Sequence, residues 1–551
     1  MSAIARVLVA TLAALIACRA ADSHAQCRFQ DSSSKGAWTY HFRVDGGTDR
    51  PRLHVTAQLP LGPSGTLALQ LPARWAGETL HAMTNLRSGS TDVRLEIDAD
   101  GGSGVLRGQP NGLATITYDL EKDWSGPLVH PRQFHPVVMP EYFELTGQNA
   151  LVFPRLDTSA TMAARTTVRL DFAELPSSWV VATSFDAGAS PSARCQTAKA
   201  SAADIVSALF AAGDFRLRAF SIGRRRAMLA VRGTWTFSDE DAIDQIRRTV
   251  AVVRDFWKDD RFPYFLVTLK PYDRDRGSSD GSAFTNAFWM YLSRQDSLGD
   301  RLPQLAHESF HAWNPGRMGV RPDGASVAWF TEGFTDYYAY RLLLQAGVVP
   351  ATGYVDSLNR TLRRFTPSSD PYVRGRTVAL WLDAQIRLES HGRHSLDDVM
   401  FAMVRGRDRP LTPARILATA ARYIQSDTRR ALVAAVTTGA PVAAPERVPS
   451  VPGCPIRSLV DFPTFDLGFD LAASRAAGKV TGVRGDSAAY AAGLRDGQEL
   501  SGRISVTNND PQEPALFGIR DTAGAREVRF FPKGASVQAW QYQMGVCPDG
   551  R

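Results

Sequence analysis

The sequence lacks several features that would assign a protein to a functional class directly. No segment after the first 25 residues has the roughly twenty consecutive apolar residues that a membrane-spanning helix requires, so we expect a soluble mature protein. No unit repeats at a fixed period. The net charge is +7, but Lys and Arg are scattered, and the densest run, residues 224–226, precedes an apolar strand-like stretch. The basic face of a nucleic-acid-binding module is therefore not predicted.

The composition is that of a large globular protein. Of the 551 residues, 44% are hydrophobic, 22% are charged and 9% are aromatic, unlike disordered, collagen-like or coiled-coil sequences. Because one domain usually takes about 100–200 residues, we expect three or four folded units.

The first 25 residues have the pattern of a secretory signal peptide. Arg6 precedes an apolar run over residues 7–17, and residues 23–25 form a small-x-small cleavage pattern. We therefore expect a secreted or periplasmic protein. A second possibility is open, because residues 15–18 resemble a bacterial lipobox. Lipidation of Cys18 would anchor the chain at the bacterial envelope.

Cleavage after Ala25 would leave four cysteines, an even number that suits an oxidising compartment. Three pairings are possible. The most economical joins Cys27 to Cys195 and Cys454 to Cys547, because each pair then brackets one predicted domain. The alternative is four buried or unpaired thiols. Their distance in sequence from the His-Glu motif described below argues against catalytic or metal-binding cysteines.

The order of local patterns predicts a multidomain α+β protein. Short alternating segments separated by Gly, Pro and Asp turns predict a β-rich domain over residues 26–199. A second, mostly helical domain is expected over residues 200–445. A linker rich in Ala, Pro and Val, residues 440–452, precedes short strands and turns that predict a third domain over residues 453–551.

Individual elements follow from hydrophobic spacing. Alternation predicts strands, and spacings of three and four predict helices. The strand segments are 53–57, 115–118, 167–170 and 264–269, and the helical segments are 239–257, 327–344 and 378–388.

The strongest chemical signal is the motif His307-Glu308-x-x-His311. It lies in a stretch over residues 305–313 that contains no Gly or Pro and is compatible with a helix. Because residues four apart share a helix face, both imidazoles can bind one metal ion. Glu308 is turned aside by one position and can hold a water molecule instead.

Zinc with two histidine ligands needs a third protein ligand and an open position for water. We predict Glu332, in a second helical segment downstream, as this ligand. Asp336 lies one helical turn further and could accept a hydrogen bond from the outer nitrogen of a ligand imidazole. The competing interpretation of the histidine motif alone is a solvated His-Glu face.

This ligand set predicts hydrolysis of peptide bonds. Zn²⁺ would polarise the scissile carbonyl and bring the pKa of its water toward neutrality, while Glu308 passes a proton to the leaving amine. The developing oxyanion needs a second donor, and Tyr372, ahead of the next helix, is a candidate. From spacing alone, a core or surface tyrosine is the commoner case.

The motif His307-Glu308-x-x-His311-Ala-Trp-Asn, followed by Glu332-Gly-Phe-Thr-Asp336, resembles the glycyl aminopeptidase family of PDZ-containing zinc metallopeptidases. The resemblance implies a thermolysin-like catalytic domain of the gluzincin type, behind a β-rich domain and ahead of a PDZ-like β domain. This order agrees with the predicted domains. It also implies a peptide or protein substrate and Zn²⁺ as cofactor.

The resemblance extends to Tyr372-x-Arg374-Gly375, which is similar to the Tyr-x-Lys-Gly element that supplies an oxyanion-stabilising phenol in related aminopeptidases. It fails at the substrate amino end. Relatives carry a Gly-Gly-Leu-Glu-His-like element, whereas residues 277–288 offer no Glu. Asp280 is a shorter substitute. Aminopeptidase and endopeptidase activity therefore both remain open.

In the last domain, Leu467-Gly468-Phe469 and the following residues 483–497 are similar to PDZ domains. In that fold the turn gives backbone amides to a peptide carboxylate, and the neighbouring strand edge accepts the peptide. The alternative is a small β domain that only packs on its neighbour. The rival to an enzyme is thus a peptide-binding scaffold whose zinc site is structural or inactive.

Overall fold

The computed structural model of the chain forms two compact units. Residues 1–251 and 258–308 make up the amino-terminal unit, and residues 252–257 and 309–551 the carboxy-terminal unit. The described residues are 27, 36–45, 50–75, 77–129, 131–155, 164–185, 193–260, 265–273, 279–319, 323–363, 370–448, 451–506 and 510–545. The predicted signal peptide and Cys18 lie outside them. The domain limits given above stay predictions.

Strands β1–β21 belong to the amino-terminal unit. They are Trp38–Val44, Leu53–Pro60, Thr66–Gln70, Arg74–Trp75, Glu78–Thr79, Met83–Ser88, Arg94–Ile97, Ser103–Arg107, Leu113–Leu120, Val137–Val138, Tyr142–Thr146, Phe153–Pro154, Arg165–Asp171, Val180–Thr183, Cys195–Ser201, Leu209–Gly213, Arg216–Ile222, Arg225–Val231, Leu266–Pro271, Ser279–Phe284 and Ala287–Leu292. The predicted β-rich amino-terminal region is confirmed.

These strands form four larger sheets and one short hairpin. The orders are β15-β13-β1-β2-β9-β6, β10-β11-β16-β14, β12-β3-β8-β7 and β17-β18-β19-β21-β20, and β4 pairs with β5. Strand β2 shows why its sequence forms a strand. Its residues alternate strictly between buried and half-buried, and Leu53, Val55, Ala57 and Leu59 on the inner face are at most 1% exposed.

The five-stranded sheet has one strand at its edge that matters for the site. Strands β18, β19 and β21 are parallel, and β20 is antiparallel to β21. All six residues of β21 are buried, whereas β20 has one buried residue. Among the described residues, β20 pairs with another strand on one side only, and its Ala283 N–H and Gly281 carbonyl bond to the side chains of Glu308 and Gln304.

Thirteen α-helices, α1–α13, occur among the described residues. They are Gly147–Ala150, Ala202–Val206, Asp239–Trp257, Leu302–Phe310, Gly324–Thr331, Gly333–Gln345, Ala351–Arg363, Pro371–Glu389, Leu396–Arg405, Pro413–Ala420, Ser426–Thr437, Leu471–Ala477 and Ala488–Ala491. Two short 3-10 helices span Arg132–Phe134 and Leu298–Arg301. The carboxy-terminal region before residue 440 is helical, as expected.

Two of the predicted helical segments show how well spacing defines a helix. The predicted segment 239–257 matches α3 at both ends, and its apolar residues Ala242, Ile246, Val250 and Val253 are at most 2% exposed. The segment 327–344 instead comprises two helices, α5 and α6, which meet at Glu332. Apolar spacing continues across Glu332, which is why the pattern did not mark the boundary.

The last hundred residues form two small sheets. Strands β22–β26 are Ile456–Phe465, Glu499–Ser505, Ala515–Asp521, Gly524–Phe530 and Lys533–Gln543, ordered β22-β26 and β23-β24-β25. Strand β22 ends at Phe465, just before Leu467-Gly468-Phe469, and α12 begins at Leu471, just after this loop. The PDZ-like domain stays a prediction. The Gly468 N–H donates to Asp466 Oδ1 at 2.9 Å. A helix follows the loop because Asp470 caps it by accepting the Ala473 N–H at 2.9 Å.

One of the two predicted disulfides is confirmed. Cys27 is bonded to Cys195 at the start of β15. Cys454 is also disulfide-bonded, and its predicted partner Cys547 lies outside the described residues. Among the described residues, no helix is both long and apolar enough to cross a membrane.

We predict that replacing Cys27 and Cys195 together by Ser lowers the free energy of unfolding by about 2–5 kcal/mol, because the bond restricts the unfolded chain. Thermal unfolding monitored by circular dichroism measures the change. Thr197→Ser, at an exposed position on the same strand, is the control and should leave the midpoint unchanged. An unchanged midpoint in the double variant would contradict the prediction.

Candidate active site

The first two candidate ligands lie at the end of helix α4. Leu305, Ala306 and Phe310 are completely buried, so this face fixes the helix, and His307 is 7% exposed. The helix ends at Phe310, one residue before His311, although the sequence is compatible with a helix through residue 313. His311 therefore belongs to the turn that follows, where the Asn314 N–H donates to the Phe310 carbonyl at 3.1 Å.

Asn314 orients His311 and connects its turn to the next segment. The His311 Nδ1 lies 2.8 Å from the Asn314 carbonyl oxygen, which leaves Nε2 to face Glu332 Oε2 at 3.3 Å. The Asn314 side-chain amide is completely buried and donates to the Phe330 carbonyl and to Thr335 Oγ1, each at 3.1 Å. From sequence alone, Asn314 could equally have been a helix cap.

The three predicted ligands converge. One ligand atom each of His307, His311 and Glu332 lies within 4.8 Å of the others. Two imidazoles and one carboxylate are a donor set that suits catalytic zinc. The His311 and Glu332 side chains are 21% and 22% exposed, so solvent reaches the group and a fourth position can take water or substrate. The residues therefore fit a zinc ion.

Glu332 owes its position to a close crossing of helices α6 and α8. A Cβ atom at Gly333 would lie 2.3 Å from the Gly375 Cα, and a Cβ atom at Gly375 would lie 1.7 Å from the Trp329 carbonyl oxygen. Neither distance is possible for a side chain, so both positions require glycine. The residue after Glu332 is thus in backbone contact with α8.

Helix α6 is also held by buried polar contacts. The Tyr337 hydroxyl donates to Asp383 at 2.9 Å, and Arg341 donates to both oxygens of Asp397 at 2.6 and 3.0 Å. Burial raises the pKa of Tyr337, so its phenol stays protonated and donates. Burial opposes ionisation of Asp397, but the Arg341 guanidinium holds the pKa of this carboxyl below its ordinary value.

Asp336 lies one turn after Glu332 and accepts a hydrogen bond from Arg376 Nη1 at 3.2 Å. The outer nitrogen of His311 faces the Asn314 carbonyl and not Asp336. The predicted hydrogen bond from a ligand imidazole to Asp336 therefore stays a prediction for His307. Arg376 also donates to Ser357 Oγ at 2.7 Å. No motif in the sequence marks Arg376 as a functional residue.

Tyr372 lies in the first turn of α8, three residues before Gly375, and is 45% exposed. The Asp370 side chain caps this helix by accepting the Tyr372 N–H at 2.9 Å. Arg374 donates to the carbonyls of Ala435 and Val436 at the end of α11. The basic residue of the Tyr-x-Arg-Gly element therefore fixes the start of α8 against α11.

Glu308 and Asp280 both lie at edge strand β20. The Ala283 N–H of this strand donates to Glu308 Oε2 at 3.2 Å. Gln133, completely buried in the amino-terminal unit, donates its amide to Asp280 Oδ2, and the Gly281 N–H donates to Oδ1 at 2.8 Å. Gln133 was not predicted, because its contact with Asp280 joins residues that are distant in sequence.

Comparison with known proteins adds a family match and a fold. A family model described as M61 glycyl aminopeptidase matches residues 301–379, which include the three candidate ligands, Glu308 and Tyr372. No curated protein matches the chain. The crystal structure of an aminopeptidase N family protein from Idiomarina loihiensis is similar at 15% identity, with 93% of this chain and 98% of that chain covered and a TM-score of 0.66. This likeness shows a shared fold.

A second similar structure is an M1 zinc metallopeptidase from Deinococcus radiodurans. It is 16% identical, and the alignment covers 75% of this chain and 95% of that chain with a TM-score of 0.49. At this score the likeness adds nothing to the fold match above.

We predict that Gly375→Ala lowers the free energy of unfolding by about 1–3 kcal/mol, because the added methyl group forces α6 and α8 apart. It should also weaken zinc binding, since Glu332 moves with α6. Calorimetric unfolding and zinc titration against a chelator measure the two effects. Gly353→Ala is the control, because its Cβ meets no atom closer than 3.4 Å. If Gly375→Ala and Gly353→Ala had the same free energy of unfolding and the same zinc affinity, the helix crossing would not be what positions Glu332.

Proposed function

We propose that the chain is a zinc-dependent peptidase that removes residues from the amino end of peptides. The observation that carries this proposal is the convergence of His307, His311 and Glu332 within 4.8 Å. Zinc held there would supply a Lewis acid for the scissile carbonyl and acidify a coordinated water. The family match over residues 301–379 supports the same class of reaction.

Glu308 is the proposed general base. It follows His307 directly on α4, and its carboxylate accepts the Ala283 N–H of edge strand β20. A peptide that lies along the edge of β20 would therefore pass alongside this carboxylate. From there, Glu308 takes a proton from the attacking water and returns it to the leaving amine.

Tyr372 is the proposed donor to the developing oxyanion. Its exposed side chain is accessible to a substrate, and Asp370 and Arg374 fix the turn that carries it. Gly375, on the same helix as Tyr372, contacts Gly333, the residue after Glu332. This contact fixes helix α8 relative to the candidate ligand. A phenol aimed at the new negative charge stabilises the transition state more than the ground state.

Asp280 is the proposed acceptor for the substrate ammonium group, and it favours aminopeptidase over endopeptidase activity. The Gln133 amide and the Gly281 N–H hold its carboxylate in one orientation on β20. The same edge strand contacts α4 twice. The Ala283 N–H donates to Glu308, and the Gly281 carbonyl accepts from Gln304, four residues before Glu308, at 3.2 Å. A fixed carboxylate on the substrate-binding strand suits a charged amino end.

The competing function, a PDZ-type peptide-binding scaffold, has less support. It needs the loop Leu467-Gly468-Phe469 to offer backbone amides to a peptide carboxylate, but Asp466 accepts the Gly468 N–H and α12, not a strand, follows the loop. We therefore propose that the last domain packs on the chain and does not capture peptide ends. We also propose export, since the Cys27–Cys195 disulfide suits an oxidising compartment.

The proposal is tested by hydrolysis of one peptide library offered with free and with acetylated amino ends. We predict cleavage of the free peptides only, and a loss of about 10²- to 10⁴-fold in Glu308→Gln, the magnitude typical of a general base. Zinc content should stay at wild-type level in this variant, because Glu308 is not a ligand.

The control is Glu240→Gln, which removes a carboxylate at an exposed position of α3 and should change neither activity nor zinc content. Equal cleavage of free and acetylated peptides would exclude the aminopeptidase assignment. Unchanged activity in Glu308→Gln would exclude the peptidase mechanism itself.

A further inference from the structure

A cavity of about 420 Å³ lies within the carboxy-terminal unit, next to the proposed oxyanion donor. Its lining includes three carboxylates, two guanidinium groups and two phenols, which belong to Asp336, Asp370, Asp510, Arg360, Arg376, Tyr340 and Tyr372. Of these residues, the proposed mechanism uses Tyr372 alone. Its charged lining distinguishes it from the apolar pockets that bind most small molecules.

The three carboxylates of the cavity already have partners. Arg363 donates to both oxygens of Asp510, at 3.2 and 2.7 Å, and both side chains are at least 92% buried. Arg376 donates to Asp336. Asp370 accepts the Tyr372 N–H at the start of α8, where the helix dipole offsets a negative charge. None of the three therefore marks the cavity as a cation site.

The buried Arg376 has a donor that the protein does not use. This residue is 4% exposed, and its guanidinium lies 4.4 Å from the centre of the Tyr340 ring. Nη1 and Nη2 donate to Asp336 and Ser357, but Nε has no hydrogen-bond partner among the described residues. A buried N–H without a partner is costly, which points to an acceptor supplied by a ligand.

Arg360 supplies the unpaired positive charge of the cavity. It is exposed in the last turn of α7, and in the described part of the chain no hydrogen bond or ion pair engages it. A guanidinium presents parallel N–H groups that match the two oxygens of a carboxylate. Arg360 thus offers charge and donors for one anionic group, and Arg376, whose charge is paired with Asp336, offers a further donor.

The cavity adjoins the residues proposed to act on the substrate. Asp336 in its wall lies four residues after Glu332, which is about 6 Å along the helix axis. Tyr372 forms another part of the wall and precedes by three residues the glycine that contacts Gly333. The cavity is therefore next to Tyr372 and close, along helix α6, to the candidate ligand Glu332.

We propose that this cavity binds the carboxylate of an acidic side chain, Glu or Asp, adjacent to the scissile bond of the peptide substrate. The proposal rests on the peptidase function proposed above and adds a specificity to it. Arg360 pairs with the carboxylate, and Arg376 Nε donates to it from the cavity wall.

The experiment measures kcat/KM of the zinc-loaded full chain for peptide pairs that carry Glu or Gln on either side of the scissile bond. One position should prefer Glu by at least about tenfold, which corresponds to about 1.4 kcal/mol. Arg360→Gln should abolish this preference by lowering kcat/KM for the Glu peptide, while Arg360→Lys should retain part of it. Arg405→Gln is the matched control, since Arg405 is also exposed in the last turn of a helix and does not line the cavity.

A second readout does not depend on turnover. The Glu308→Gln variant should bind the acidic peptide at least about tenfold more tightly than its Gln analogue, and Arg360→Gln in that background should remove the difference. Hydrolysis without any preference for Glu would overturn the inference and leave the peptidase intact. Absence of hydrolysis from all peptides would instead overturn the proposed function.

Discussion

The backbone contact between Gly333 and Gly375 is the constraint on which the candidate site depends. It brings α6 and α8 closer than any side chain would allow. Glu332 precedes the contact on one helix, and Tyr372 lies three residues before it on the other. Asp336 lies after Gly333 on α6, Arg376 lies after Gly375 on α8, and the two side chains form an ion pair. One crossing thus fixes a candidate ligand, a candidate oxyanion donor and the wall of the charged cavity.

A second constraint holds the histidine side of the site. The turn after α4 must place His311 opposite Glu332, and Asn314 does this with both its carbonyl and its amide. The Asn314 amide nitrogen donates two buried hydrogen bonds, and losing either would leave its acceptor without this partner. The ligand geometry therefore relies on polar contacts in the turn and on glycine packing between the helices.

The sequence predicted the parts of the structure that depend on local spacing. Residues 239–257 form a helix at the expected bounds, and the alternation at 53–57 forms a strand. The Cys27–Cys195 pairing was instead inferred because the two cysteines bracket a predicted domain. The histidine motif and Glu332 converge as their spacing suggested.

What the sequence could not predict involves contacts between distant residues. Gln133 meets Asp280, and Asn314 reaches Phe330, through the fold alone. The loop before α12 resembled a PDZ motif because its Leu-Gly-Phe pattern is local, whereas the helix that follows is set by the Asp470 cap.

The central claim is that His307, His311 and Glu332 hold a catalytic zinc ion. X-ray absorption at the zinc edge, measured on the full chain loaded with one equivalent of zinc, tests it most directly. The account predicts two imidazole nitrogens and one or two carboxylate or water oxygens at about 2.0–2.2 Å, with loss of one histidine shell in His311→Ala. A sulfur shell, a six-oxygen environment or a spectrum unchanged in His311→Ala would contradict it.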